Sequence, residues 1–391
     1  MMPKDVQSFA IVCCNTVFFP RSAPKLAAQR LWALRHVATS HPLFRPLSLR
    51  ETSLRRQHDD RPVRKIVRAM AAALLLTFGA QPAVASSLDV VVTIKPIHSL
   101  VAQVMGDTGQ PKLLIDGAAS PHTFSLKPSD ARALNNADAV FRVSETLEPF
   151  TRRILASLPE TVRVVTLASS SGLTLLPMRS GDGFEEHDHE HGHDHGHKHG
   201  EAEKAKKSNG ANREAQQDAI DGHIWLDPEN AKVMLRVIAE RLGELAPDQA
   251  ATFDKNAATA ITALDALQSE ISRAIEPHRG KAFVVFHDAY QYFETRFAIP
   301  ALGSITVSPE VQPSARRLSE IRRKIRELGA ACVFAEPQFK SRLIDTVIEG
   351  TNARSGVLDP IGADVPAGPD AYARILRTLT ANLTGCLGAG A

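Results

Sequence analysis

Between His187 and His199 the chain reads HDHEHGHDHGHKH, which places seven imidazoles, His187, His189, His191, His193, His195, His197 and His199, in thirteen residues. Neutral imidazole is a ready ligand for borderline metals such as Zn2+, Ni2+ and Cu2+, so this composition points to transition-metal capture. Asp188, Glu190 and Asp194 fill half of the six gaps, and no apolar face remains with which the run could join a core. The letters His189-Glu190-His191-Gly192-His193 also satisfy HExxH, a zinc-hydrolase signature when it lies on a helix. Gly192 and Gly196 argue against that helix. From 179 to 217 the composition stays polar and reads as one disordered, His-rich insertion.

Beyond residue 85 and outside that run the chain has five histidines: His98, His122, His223, His278 and His287. His122 follows Ser120-Pro121 in a loop leaving the Leu113-Leu114-Ile115 run. His223 precedes Ile224-Trp225-Leu226-Asp227-Pro228. His287 closes Phe283-Val284-Val285-Phe286, and Asp359 closes Gly356-Val357-Leu358. Taken singly, each suits a core or capping role. Together, three histidines and a carboxylate near the carboxyl ends of strands in an open α/β sheet make a zinc site between two lobes. His98 reads as a residue at a helix start. His278 reads as a cation suited to a helix C-terminus, and Trp225 and Phe124 as apolar packing beside the ligands.

The elements that must position these groups alternate strand with helix. Short Val/Ile/Leu/Phe-rich runs at 88–94, 112–115, 137–143, 162–167, 282–286, 331–335 and 356–358 read as buried parallel strands. Helices are expected to open at Pro128-Ser129-Asp130 and at Asp227-Pro228-Glu229, and to run from 313 to 328. Phe253, Ala257, Ile261, Leu264, Leu267, Ile271 and Ile275 recur every three or four residues between Pro247 and Pro277. That spacing predicts one amphipathic helix of about 30 residues and about 45 Å, a rigid spine. The expected fold is α/β: two (β/α) lobes with parallel sheets, 86–246 and 280–391, joined by the linker helix at 247–279.

The first 85 residues bear on location. Arg61, Arg64, Lys65 and Arg68 precede an uncharged stretch from Met70 to Ala80, then Ala83-Val84-Ala85. This is the order of a secretory signal at 61–85 with cleavage near Ala85, and its apolar core is too short to span a bilayer. Residues 1–60 read as an extension ahead of the true start, with Val63 a candidate start. Residues 1–85 hold 13 of the 46 Lys/Arg and 4 of the 43 Asp/Glu, so the exported part carries a net charge of −6. An acidic surface removes the electrostatic case for nucleic acid. Of four cysteines only Cys332 and Cys386 survive cleavage, and an even pair in an oxidising compartment reads as a disulfide pinning the C-terminal helix to a strand.

Ser120-Pro121-His122 with Leu126-Lys127-Pro128-Ser129-Asp130, His223-Ile224-Trp225-Leu226-Asp227-Pro228, His287-Asp288-Ala289-Tyr290, Phe334-Ala335-Glu336-Pro337-Gln338-Phe339 and Leu358-Asp359-Pro360 resemble the zinc-specific periplasmic binding proteins of ABC uptake systems, the ZnuA-like group. The resemblance runs over 88–390 and extends to the His-rich insertion and the long interdomain helix. It implies a non-enzymatic, monomeric periplasmic protein that binds Zn2+ through His122, His223 and His287, with Asp359 or a water completing the shell. It also implies a membrane permease with its ATPase as partner, the only link to the membrane. Some relatives carry Glu immediately before the first ligand histidine, where this chain has Pro121. Three imidazoles favour zinc over the manganese taken by relatives that offer a carboxylate in place of His287. A periplasmic zinc buffer or adhesin, and a zinc hydrolase with Asp288 or Glu336 as base, are the alternatives.

Overall fold

The structure, a computed structural model, describes residues 87–179, 184, 220–306, 312–339 and 342–389, all within one compact unit, Ala83–Ala391. The expected signal segment at 61–85, the residues ahead of it and the seven-histidine run lie outside the described residues. No helix among the described residues is long and apolar enough to cross a membrane.

Two four-stranded parallel sheets carry the fold. The first contains β1 (Val90–Ile94), β2 (Lys112–Ile115), β3 (Ala139–Arg142) and β4 (Arg163–Thr166) in the order β2-β1-β3-β4. The second contains β5 (Phe283–His287), β6 (Ser304–Thr306), β7 (Cys332–Ala335) and β8 (Arg354–Val357) in the order β6-β5-β7-β8. The two orders are the same, so each sheet has its first strand inside and reverses direction between its first and third strands. That reversal opens a crevice at the carboxyl ends of the strands.

β1 and β5 are buried throughout, as parallel strands covered on both faces must be. In β5 the alternation separates two cores: Phe283 and Val285 join the main core with the first sheet, while Val284 and Phe286 face Ile305, Ile321, Ile325, Val333, Ile344 and Val347. All seven expected strands appear within two residues of their expected limits, the last of them, expected at 356–358, as β8 (Arg354–Val357). β6 was not expected, because three residues carry too little pattern to be legible.

The longest helices packing the main core are α1 (Lys95–Met105), α4 (Pro228–Leu245), α5 (Ala250–Ile275) and α9 (Ala371–Gly388). Between the first two lie α2 (Pro128–Asn135) and α3 (Thr151–Leu155). The second half adds α6 (Gln291–Phe297), α7 (Ala315–Glu327) and α8 (Arg342–Ile348). α4 begins as its sequence dictates: the Asp227 side chain accepts from Glu229 N, and Pro228 occupies the first turn, where no intrahelical donor is needed.

α5 is the expected spine, but it has 26 residues rather than 30. Pro277 falls in a separate 3-10 turn, Glu276–His278, because proline cannot donate to a continuing helix. Its buried stripe is Phe253, Ala257, Ala260, Leu264, Leu267, Ile271 and Ile275, with Ile261 only half-buried at the margin. Cys332 of β7 and Cys386 of α9 form a disulfide, which pins the last helix to a strand of the second sheet.

Candidate metal centre

His122, His223 and His287 come together, with one ring nitrogen of each lying within 4.8 Å of the others. Their ring centroids are 5.2 to 5.8 Å apart. Each arrives by a different route. His287 is the last residue of β5, at the carboxyl end of a strand flanking the reversal in the second sheet. His122 sits in the turn after β2, where its backbone N–H donates to Ser120 Oγ at 3.3 Å. His223 precedes the 3-10 turn Ile224–Leu226 that leads into α4.

Carboxylates orient two of the three rings. Glu336, one residue past β7, places Oε1 2.7 Å from His287 Nδ1, and Asp221 Oδ1 lies 2.7 Å from His223 Nδ1. Asp221 also accepts from the His223 backbone N–H at 3.0 Å, which fixes both ends of that residue. A carboxylate only accepts, so each Nδ1 carries the proton and each neutral ring presents a bare Nε2. The two Nε2 atoms face each other at 3.3 Å. His122 Nε2 and Glu336 Oε2 are buried and find no partner among the described residues. Buried polar atoms ordinarily find one, so these groups are arranged for something that sits between them.

The protonation balance is uneven. Burial, reinforced by His223 and His287, holds the His122 pKa well below the usual 6.5. Burial also pushes His287 down, but the charge and hydrogen bond of Glu336, with Asp288 and Asp221 nearby, leave it raised overall. Burial, then Glu336 and Asp359, drives the Tyr290 phenol well above 10. Trp225 is fully buried with its ring 5.3 Å from that of His223, and Phe339 approaches the His287 ring edge-on at 5.9 Å.

Asp359, expected as a possible fourth ligand, is not among the ligand atoms that meet. Its Oδ1 accepts from Gln338 Nε2 at 2.9 Å and from the backbone N–H groups of Ile361 and Gly362 at 3.2 and 2.9 Å. Its Oδ2 accepts from Ala363 N at 2.5 Å. The residue ties a turn together, and these bonds draw on the lone pairs a metal would need. His98, in α1, donates through Nε2 to Pro111 O at 2.9 Å, and His278 stands in the turn just past α5, where burial and Lys281 lower its pKa.

A family model described as zinc-uptake complex component A, periplasmic, matches residues 90–386. The chain belongs to that family, ZnuA. The high-affinity zinc uptake system protein ZnuA of Brucella abortus (strain 2308) is 46% identical over 327 residues, 81% of this chain and 97% of that relative. The protein of the same name from Yersinia pestis is 36% identical over 322 residues, 81% of this chain and 96% of that relative. Among solved structures, the laminin binding protein Lmb of Streptococcus agalactiae, titled a bifunctional protein with adhesin and metal transporting activity, aligns with a TM-score of 0.61. It is 25% identical, over 77% of this chain and 100% of that one.

In this ZnuA-family chain the supports of the site were harder to find than its histidines. Arg179 pairs with both Asp288, the neighbour of His287, and Glu294, whose Oε2 lies 2.7 Å from Nη1. The segment bearing His223 is held from the second half of the chain. The Tyr292 hydroxyl donates to Asp221 O at 2.9 Å, Arg296 grips Asp227 through two bonds of 2.7 and 2.8 Å, and Tyr372 donates to Trp225 O at 2.7 Å. Trp225 Nε1 in turn donates to Pro360 O at 2.9 Å, beside the turn that Asp359 ties. The only signal for Asp221 in the sequence is its place two residues before His223, one of the three histidines that meet. For Arg179 there is none.

Proposed function

We propose that this chain is the periplasmic solute-binding component of an ABC uptake system, which takes Zn2+ on His122, His223 and His287 and presents it to a membrane permease with its ATPase. Export through 61–85 with cleavage near Ala85 supplies the location. The lobes at 86–246 and 280–391 close on the ion about the linker at 247–279, and the run from His187 to His199 serves as a weak, multivalent collector.

One observation carries the reading: two buried imidazoles, each with its Nδ1 on a carboxylate, aim bare Nε2 atoms at each other across 3.3 Å. A tetrahedral zinc with Zn–N bonds of about 2.0–2.1 Å separates its nitrogen ligands by about 3.3–3.4 Å. Two lone pairs at that distance repel in the empty site and are satisfied by one cation. Imidazole is a softer donor than carboxylate, which favours Zn2+ over Mn2+. With the Asp359 oxygens engaged in their turn, a water fills the fourth position. The names of the relatives, zinc uptake proteins at 46% and 36% identity, support the same cargo.

Calorimetric titration of the purified protein with Zn2+, beside a His287→Ala variant, tests this. The expected result is one tight site that the variant loses, over weaker sites that it keeps. Equal tight binding by parent and variant would move the principal site to the seven-histidine run and sink the assignment.

A further inference from the structure

At the opposite end of the second sheet from the metal centre, a groove of about 550 Å³ opens beneath the starts of three strands. Lys281 precedes β5, Ala330 and Ala331 precede β7, and Arg354 begins β8, with Arg326 of α7 and Leu387 of α9 forming the rim. Three of its lining residues are cations, Lys281, Arg326 and Arg354, and none is acidic. No carboxylate pairs with any of the three among the described residues. The basic neighbours of Arg326 on α7 are engaged elsewhere, Arg322 with Glu349 and Arg323 with Glu327.

Two of the three cations have neutral acceptors. Lys281 Nζ donates to Leu387 O at 2.9 Å and Arg354 Nη2 to Cys386 O at 2.6 Å, at the carbonyl end of α9. Cations at a helix C-terminus are favourable there, and this accounts for their presence. It does not neutralise them: a carbonyl satisfies a donor and leaves a full positive charge. Arg354 lines the groove with its buried Nε left without an acceptor, and Arg326 is exposed, so the groove keeps positive charge that no described carboxylate meets. The burial of His278 and the presence of Lys281 keep that histidine from adding to the charge. The concentration of positive charge stands against an exported chain whose net charge is −6.

We propose that this groove binds a phosphate oxyanion, with Arg326 and Lys281 supplying charge and the Arg354 guanidinium a directed donor. A half-open groove of this volume admits either free inorganic phosphate or the phosphate of an anionic lipid headgroup.

The test uses three readings on the purified protein and on Arg326→Gln and Lys281→Gln/Arg326→Gln variants. Inorganic phosphate is titrated by calorimetry. Co-flotation is measured with vesicles of phosphatidylcholine containing phosphatidylglycerol, against vesicles of phosphatidylcholine alone. Zn2+ titration and thermal unfolding are run in parallel. Arg326 is exposed in the last turn of α7, where its charge contributes only slightly to stability, so the single variant is expected to unfold close to the parent and to bind zinc as the parent does. Phosphate binding weakened about tenfold in Arg326→Gln, and further in the double variant, supports the proposal with the free ion as ligand. Flotation only with phosphatidylglycerol, lost in the variants, supports it with a lipid headgroup. Neither phosphate nor vesicle binding by the parent, or binding indifferent to both variants, overturns it whatever the zinc titration gives.

Discussion

Glu336 Oε1 lies 2.7 Å from His287 Nδ1, and this one contact sets the tautomer, the ring plane and the basicity of a residue at the end of β5. Glu336 belongs to the neighbouring strand connection, so the second sheet itself aligns donor with acceptor. Glu336→Ala is expected to weaken Zn2+ binding about 10- to 100-fold, with Glu336→Gln between it and the parent, because the amide oxygen still accepts from Nδ1–H. Isothermal titration of the three proteins measures this. Parent-like affinity in the Ala variant would show that His287 needs no orienting partner.

Zinc affinity should fall with acid, and the titrating residue is His287. A proton and a metal compete for the same Nε2, so binding is strong where the imidazole is neutral and is lost as pH drops through its pKa. The His287 pKa is raised above 6.5, whereas that of His122 is held well below it and keeps that residue neutral. The decline should therefore begin at or above pH 6.5, earlier than an unperturbed histidine would give. Titrations between pH 8 and about 5.5 check the sign, and an affinity flat across that window counts against the three-histidine set.

Asp359 separates structural from coordinating roles. Its two oxygens accept four hydrogen bonds from Gln338, Ile361, Gly362 and Ala363. Asp359→Ala is expected to cost about 1–3 kcal/mol of stability through the orphaned N–H groups. Zinc affinity, measured below the variant's unfolding temperature, should change by no more than a few fold. A hundredfold loss of affinity with unchanged stability would make Asp359 a ligand after all.

Glu148 introduces a second pH dependence, in folding rather than in binding. It is wholly buried, its carboxylate accepting from Val143 N and Ser144 N at 2.8 and 3.0 Å and from the Thr93 hydroxyl, and burial raises its pKa from 4.5 to about 7 despite those bonds. The folded state therefore holds this proton to higher pH than the unfolded chain does. Stability from this group is complete below pH 4.5, declines as pH rises, and is gone above about 7, a difference of about 3 kcal/mol at most. In Glu148→Gln that component should vanish, leaving a flatter profile of denaturant midpoint against pH between 4.5 and 7. An unchanged slope would show that the group does not titrate there.

Much of this protein was legible before folding. Runs such as Val90–Ile94 and Phe283–His287 announce buried parallel strands because nothing polar interrupts them, and Asp227-Pro228 announces a helix start because its chemistry is local. The three histidines that meet were legible because each stands beside a strand-end or turn signal, and because beyond residue 85 and outside the His187–His199 run only His98 and His278 compete with them. The pairing of Cys332 with Cys386 was legible once Cys13 and Cys14 were set aside with the expected leader. β6 and the exact limits of α5 were not, since three residues hold no period, and an apolar stripe ending at Ile275 marks the last buried turn without marking where the backbone leaves the helix before Pro277.

What only the tertiary structure decided is how the site is held. His223 depends on Asp221, which the Tyr292 hydroxyl secures from α6, and on Trp225, which Tyr372 and Pro360 secure from beyond β8. His287 depends on Glu336, 49 positions away. The Asp359 oxygens are engaged by backbone N–H groups that only a folded turn presents. Local sequence sets which side chains can coordinate, through their chemistry. Which of their lone pairs remain free is a property of neighbours brought together by long-range packing, and no spacing along the chain encodes it.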